Sequence, residues 1–197
     1  MIRTETNLPF VPDGEGNLAW RAAKLLLDEK GIKDGVTIKI RKYIPVAAGM
    51  AGGSTDAAAV LVGVNRMFDL GFTKKELMER GVKLGADVPY CIMRGTALSE
   101  GIGEILTELP APPQCHLVIA KPQISVSTKA VYGKLRVNEL APEKHPDIDG
   151  MMAAIKNGDL DGVIERLGNV LETVTVPDHP EIAEIKKVMM ENGACGS

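Results

Sequence analysis

The segment Pro45-Val46-Ala47-Ala48-Gly49-Met50-Ala51-Gly52-Gly53-Ser54-Thr55-Asp56-Ala57-Ala58-Ala59 constrains this chain more than any other. A strand pattern stops at Pro45, a glycine-rich turn follows, and an alanine-rich helix begins. Without Cβ atoms to block approach, the N–H groups of such a turn converge readily on an anion. The new helix adds unpaired N–H groups and the positive end of its dipole. The segment therefore reads as a phosphate cradle. It lacks the Gly-Lys-Ser/Thr ending of a Walker loop, so a nucleotide here is held mainly by backbone. The plainer alternative is a tight turn that packs a strand on a helix. The unbroken run from Gly49 to Thr55 directly before the helix favours the cradle.

Helical and strand periodicities place this segment in a frame. Asn17 reads as the N-cap of a helix through about Lys30, with Leu18, Ala22, Leu25 and Leu26 on one stripe and Gly31 closing it. Val36, Ile38 and Ile40 alternate with polar residues, the mark of a strand with one wet face. A helix is expected over 54–68. Another, capped by Thr73, is expected over 74–84. Tyr90 to Leu98 reads as a buried strand, and 104–109 as a shorter one. Pro110, Pro112 and Pro113 mark a boundary between domains at 1–112 and 113–197. Beyond it come a strand over 117–120, a helix capped within Ser125–Thr128, a polar loop over 136–149, and helical patterns over 148–157, 159–172 and 180–192. One strand and several amphipathic helices need a sheet or another chain to cover them. The chain starts inside an element and stops at Ala194-Cys195-Gly196-Ser197, just where another loop and strand are expected, so it is expected to be incomplete at both ends, or completed by a partner. Exposed sheet edges would invite such pairing, self-association included.

Composition removes several classes. The apolar fraction of 45% is that of an ordinary globular protein, and with 4% aromatics the core rests on aliphatic side chains. A formal charge of −3 leaves no general attraction to nucleic acid. Cys91, Cys115 and Cys195 are odd in number and widely spaced, which argues for a reducing compartment. His116, His145 and His179 show no metal-like spacing. No apolar run spans a bilayer and no secretory signal precedes the first helix, so the cytoplasm is the default.

Individual residues carry a chemical and a plain reading side by side. Ser54 or Thr55 can donate to a phosphate oxygen or ligate Mg²⁺. Asp56 is awkward beside a phosphate. Its simplest role is stabilising the helix start, with facing away or reaching a metal through water as alternatives. Asp87 follows a helix stop, and Pro89 is expected to hold Val88 extended. At a helix-to-strand corner it can accept a proton from a substrate hydroxyl or make an ordinary turn bond. Lys42 can approach a nucleotide or be an exposed strand lysine. Asn17 can read an adenine edge or simply cap its helix. Thr128 and Tyr132 lie four apart on one helical face, and the Tyr132 ring either stacks on a base or packs on the core.

Taken together, Ile44 through Ala59 and Leu84-Gly85-Ala86-Asp87-Val88-Pro89-Tyr90 closely resemble the GHMP kinase superfamily. Val11-Pro12, Gly16 to Ala19, Gly95 to Leu98, Gly101 to Glu104, Lys121-Pro122, Val126 to Thr128 and Val131-Tyr132 support the match, which covers essentially the whole chain in order. The glycine-rich loop alone indicates the superfamily. The segments around Asp87 and Thr128 narrow it to the branch of non-mevalonate isoprenoid biosynthesis. The resemblance implies an α+β, two-domain fold, incomplete at both ends. Its first domain, which binds ATP, resembles one found in a ribosomal protein; the second is ferredoxin-like. It implies an ATP-dependent kinase that, with Mg²⁺, phosphorylates the 2-hydroxyl of the methylerythritol unit of a small cytidyl substrate. Asp87 would be the catalytic base and touch that substrate. Pro45, Ala47, Ala48, Gly49, Met50, Ala51, Gly52, Gly53, Ser54 and Thr55 would wrap the triphosphate. Asn17 and Lys42 fall where relatives touch the adenosine half, and Thr128 and Tyr132 where they approach the cytidine half. The family's opening strand segment with its Lys-x-Asn motif and its closing Ser-Gly-Ser-Gly-Pro loop have no counterpart here, so weak or no turnover is expected from these residues alone. Two other readings stand beside this one: an inactive nucleotide-binding or interaction fragment, and a GHMP kinase with a different substrate.

Overall fold

The computed structural model describes residues 1–46 and 48–197. They divide into two compact units, Met1–Glu108 and Leu109–Ser197.

The first unit opens with β1 (Ile2–Thr6), α1 (Leu18–Glu29) and β2 (Val36–Ile40). The strands pair in parallel, Ile2 opposite Val36 and Thr6 opposite Ile40. Parallel neighbours cannot be joined by a tight turn, so the chain crosses back through α1. Val36 and Ile38 point inward while Thr37 and Lys39 face water. Helix α2 (Gly52–Met67) packs against α1. Ala19, Ala22, Ala23, Leu26 and Leu27 of α1 join Ala57, Ala58, Leu61 and Val64 of α2 in one buried cluster. The alanines let two backbones come close, and Leu26 and Leu61 fill the space between.

Helix α3 (Lys74–Gly81) starts at Thr73 through a capping box. The Thr73 N–H donates to Glu76 Oε2 at 2.8 Å, and the Glu76 N–H returns to Thr73 Oγ1 at 3.3 Å. Arg80 ties α3 to the end of α1: its Nε donates to Glu29 Oε2 at 2.9 Å and its guanidinium lies 4.0 Å from the centre of the Phe72 ring. The Arg80 hydrogen bonds hold the Glu29 carboxyl below the ordinary glutamate range.

The next element departs from expectation. In place of a strand from Tyr90 to Leu98, α4 (Val88–Met93) forms first and β3 (Thr96–Glu100) begins only after it. Pro89 sits in the first helical turn, where its missing N–H costs nothing. Val88 is therefore helical rather than extended. Val88 and Ile92, four apart, are both buried. Positive φ at Arg94 (65°) and Gly95 (80°) then turns the chain into β3, which pairs with β4 (Ile105–Leu109).

The second unit is helical among its described residues after β4: α5 (Thr128–Lys134), α6 (Ile148–Asn157), α7 (Leu160–Glu165), α8 (Glu172–Asp178) and α9 (Pro180–Glu191), with short 3₁₀ turns at Val137–Glu139 and Pro142–Lys144. The single helix expected over 159–172 is broken. It stops at Glu165, and Asn169 Oδ1 takes the Leu171 N–H at 3.0 Å, a local bond that competes with helix continuation. The strand expected over 117–120 is irregular backbone. Leu117, Val118 and Ile119 are 84%, 81% and 67% exposed. An apolar run becomes a strand only where a neighbour accepts its hydrogen bonds. Among the described residues, no helix is long and apolar enough to cross a membrane.

Two outcomes follow. A Cβ on Gly81 would lie 2.9 Å from Val88 Cγ1, which is buried and cannot retreat. Gly81→Ala should therefore lower stability by about 1–3 kcal/mol in urea unfolding. Because the folded Glu29 carboxyl is more acidic than the unfolded one, its contribution is present above about pH 4.3 and fades as pH falls through the lower folded value. Glu29→Gln should flatten that acid limb in melts recorded across pH.

Candidate active site

A cleft of about 370 Å³ opens in the first unit. Val11, Pro12, Gly16 and Asn17 form one wall. The described part of the glycine-rich segment, from Pro45 to Gly53, forms another. Lys42, Asp56 and Asp87 bring charge to it.

The glycine-rich wall is shaped by the start of α2. The helix begins at Gly52, two residues before the expected Ser54. Gly49 has φ 67° and Ala51, the N-cap, φ 48°. A left-handed alanine is strained by about 1 kcal/mol or more, and it lets the glycines themselves form the first turn. Among the described residues, the backbone N–H groups from Gly49 to Ser54 find no acceptor. The Thr55 N–H does, bonding the Ala51 carbonyl at 2.8 Å, and its hydroxyl donates to the same oxygen at 3.0 Å.

Asp87 sits at the N-cap of α4 with helical backbone (φ −82°, ψ −12°) and makes no capping bond. It stands at a helix-to-helix corner rather than the helix-to-strand corner expected. Its carboxylate has no ion-pair partner among the described residues and borders the same cleft as the glycine-rich loop. Helix α4 fixes its place through buried Val88, which packs beside Gly81 of α3.

Other expected residues sit differently. Asn17 is 7% exposed and its amide is engaged on both sides: Oδ1 accepts from the Ala19 N–H at 2.9 Å and Nδ2 donates to the Pro12 carbonyl at 2.7 Å. It caps α1 and anchors the cleft wall. Lys42 follows β2 rather than lying on it, and it is no exposed lysine. Its side chain is 8% exposed, with Nζ donating to Asp56 Oδ2 at 2.6 Å. Asp56 thus neither faces away nor merely stabilises a helix end. Ser54 and Thr55 lie outside the lining of the cleft. A Cβ on Gly85 would stand 4.0 Å from Ser54 Oγ, and Thr55 Oγ1 lies 3.5 Å from Cys91 Sγ. Ala47 lies outside the described residues. Thr128 and Tyr132 belong to α5 of the second unit, where the Tyr132 ring is 60% exposed and does not pack into a core.

Sequence reasoning missed two partners of Lys42. Asp56 is fourteen residues away across a turn. The Asn7 amide clamps the Lys42 backbone from the other side, with Lys42 N–H to Oδ1 at 2.7 Å and Nδ2 to the Lys42 carbonyl at 3.2 Å. Neither pairing leaves a periodic trace.

Residues 17–95 match the family model described as the GHMP kinases N terminal domain. The chain is 54% identical over 193 residues to 4-diphosphocytidyl-2-C-methyl-D-erythritol kinase of Lachnospira eligens, an alignment spanning 98% of this chain and 66% of that protein. It is 53% identical, with the same coverage, to the kinase so named in Lachnoclostridium phytofermentans. The chain thus spans about two thirds of the length of these relatives. A crystal structure of 4-(cytidine 5'-diphospho)-2C-methyl-D-erythritol kinase superposes with TM-score 0.75 at 30% identity, covering 98% of this chain and 70% of that one. Homoserine kinase from Cytophaga hutchinsonii superposes with TM-score 0.79 at 18% identity, a likeness of fold.

If Asn17 works as cap and anchor, Asn17→Ala should cost about 1–2 kcal/mol of stability in denaturant melts. Asn17→Asp, which keeps the capping oxygen, should recover much of that loss.

Proposed function

The chain belongs to the GHMP kinase family, and from that premise we propose that it carries the ATP-binding and catalytic cleft of a kinase acting on 4-diphosphocytidyl-2-C-methyl-D-erythritol in non-mevalonate isoprenoid biosynthesis. One observation carries the reading: the amides from Gly49 to Gly53, acceptor-free among the described residues, and Asp87 border a single cleft. Converging N–H groups at a helix start suit the triphosphate of ATP. Asp87 accepts the proton of the 2-hydroxyl as that oxygen bonds to the γ-phosphorus and the bond to ADP breaks. The cleft supplies position and charge, and phosphoryl transfer asks little else of a protein.

Mg²⁺ fits the donor chemistry of this corner, since hard oxygens are what the ion selects. Of the residues lining the cleft, Asp56, through water and the oxygen that Lys42 does not take, would hold it. Bound there, it would offset the negative charge of the phosphates. Thr128 and Tyr132 are assigned to the cytidine half. The exposed Tyr132 ring offers a face for base stacking, worth about 1–3 kcal/mol in nucleic-acid systems. A cytoplasmic location and a small-molecule partner complete the proposal.

Calorimetry with ATP should show binding to this chain. In a version extended to the full length of its relatives, Asp87→Asn should cut phosphorylation of the cytidyl substrate by about 10²–10⁴-fold and leave ATP affinity little changed. Unchanged turnover would remove Asp87 from the base role. A preference for mevalonate-type alcohols would reassign the substrate.

A further inference from the structure

Building on the nucleotide reading above, we infer that Asp56 is a positioning residue of the same site: it holds the Lys42 ammonium beneath the glycine-rich loop and through Lys42 sets the affinity for ATP.

Both ends of Lys42 are fixed. Its backbone is clamped by the Asn7 amide, and its Nζ donates to Asp56 Oδ2 at 2.6 Å. The lysine side chain is nearly buried and that of Asp56 is about a quarter exposed. A Cβ on Gly52 would stand 3.0 Å from Nζ and 3.1 Å from Ile44 Cγ2. The ammonium is therefore packed under the first helical residue of α2, where glycine leaves room for it. Both charges border the cleft that the acceptor-free amides share.

The charge logic runs against simple counting. A bare carboxylate in a polyphosphate site would repel its guest, and Lys42 cancels it. An ammonium has three donors, and Asp56 takes one, which leaves others for phosphate oxygens. Without Asp56 the lysine would be a nearly buried cation with no counter-charge, a costly state. It escapes that state by swinging to water, and the loop then loses the cation beneath it. Removing a negative charge from this site thus weakens its hold on an anion.

The test is ATP affinity by calorimetry for the wild-type chain, Asp56→Ala, Asp56→Asn, Lys42→Met and the double variant Lys42→Met/Asp56→Ala, with folding checked by circular dichroism. Asp56→Ala should bind ATP about tenfold more weakly or worse. Asp56→Asn, whose amide oxygen still accepts from Nζ but brings no counter-charge, should bind ATP with an affinity between those of Asp56→Ala and the wild type. The double variant should bind no worse than Lys42→Met alone, because Asp56 acts through the lysine. If Asp56→Ala does not fold, Asp56→Asn and the double variant, which leaves no ammonium unpaired, decide the matter. Unchanged or tighter binding by Asp56→Ala, weaker binding by Asp56→Asn than by Asp56→Ala, or losses that add in the double variant would overturn the inference. A wild-type chain without ATP affinity would overturn the nucleotide reading and this role together. Wild-type binding matched by Asp56→Ala would overturn this role alone.

Discussion

A helix that starts on glycines leaves its first N–H groups without partners inside itself, and at α2 the described residues before it do not supply them. Most helices meet this constraint with a side-chain cap. The cap of α1 is Asn17, that of α3 Thr73 and that of α5 Ser127. At α2 the N-cap is Ala51, which has no side-chain oxygen to offer. The molecule keeps a row of donors in reserve, and the surrounding architecture holds that row open at one side of a cleft. The dense alanine packing of α1 on α2 fixes the helix axis. The parallel pairing of β1 with β2 fixes where the chain enters the turn.

The same economy governs Asp87. It occupies an N-cap position on α4 and yet makes no capping bond. Three neighbouring features keep it in place: the buried Val88 beside it, the absence of a side chain at Gly81, and the proline that starts α4. A carboxylate held by its neighbours and left unpaired by them is suited to receiving a proton. Lys42 and Asp56 show the opposite arrangement, two charges spent on each other inside the same cleft.

Local chemistry was legible in the sequence; long-range pairing was not. The Asn17 cap, the alternation of Val36 to Ile40 and the Thr73 start all rest on neighbours within a few residues, and the structure has each of them. So does the glycine-rich turn, although Ala51 moved the helix start forward to Gly52. The failures have a common cause. Tyr90 to Leu98 is apolar enough for a strand, but Pro89 and the spacing of Val88 and Ile92 favour a helical turn first. Leu117 to Ala120 has strand character and, among the described residues, no strand to bond. Lys42 could be read as a nucleotide contact or as an exposed strand lysine, because nothing in its vicinity announces Asp56 or Asn7. Side chains that meet across a fold leave no period in the chain, so their roles had to wait for coordinates.

The two engagements of Asn17 carry a consequence for how a guest would be received. By bonding Pro12 and Ala19 at once, this amide finishes one face of the cleft with internal material alone. The facing glycine-rich stretch is unfinished, its donors idle. The two walls therefore discriminate by different means: the Pro12 side, its polar groups already satisfied, offers a guest only its shape, while the loop side offers hydrogen bonds that only an acceptor can complete. A molecule that fits the first wall but brings no anion leaves those donors unpaired and forfeits their contribution.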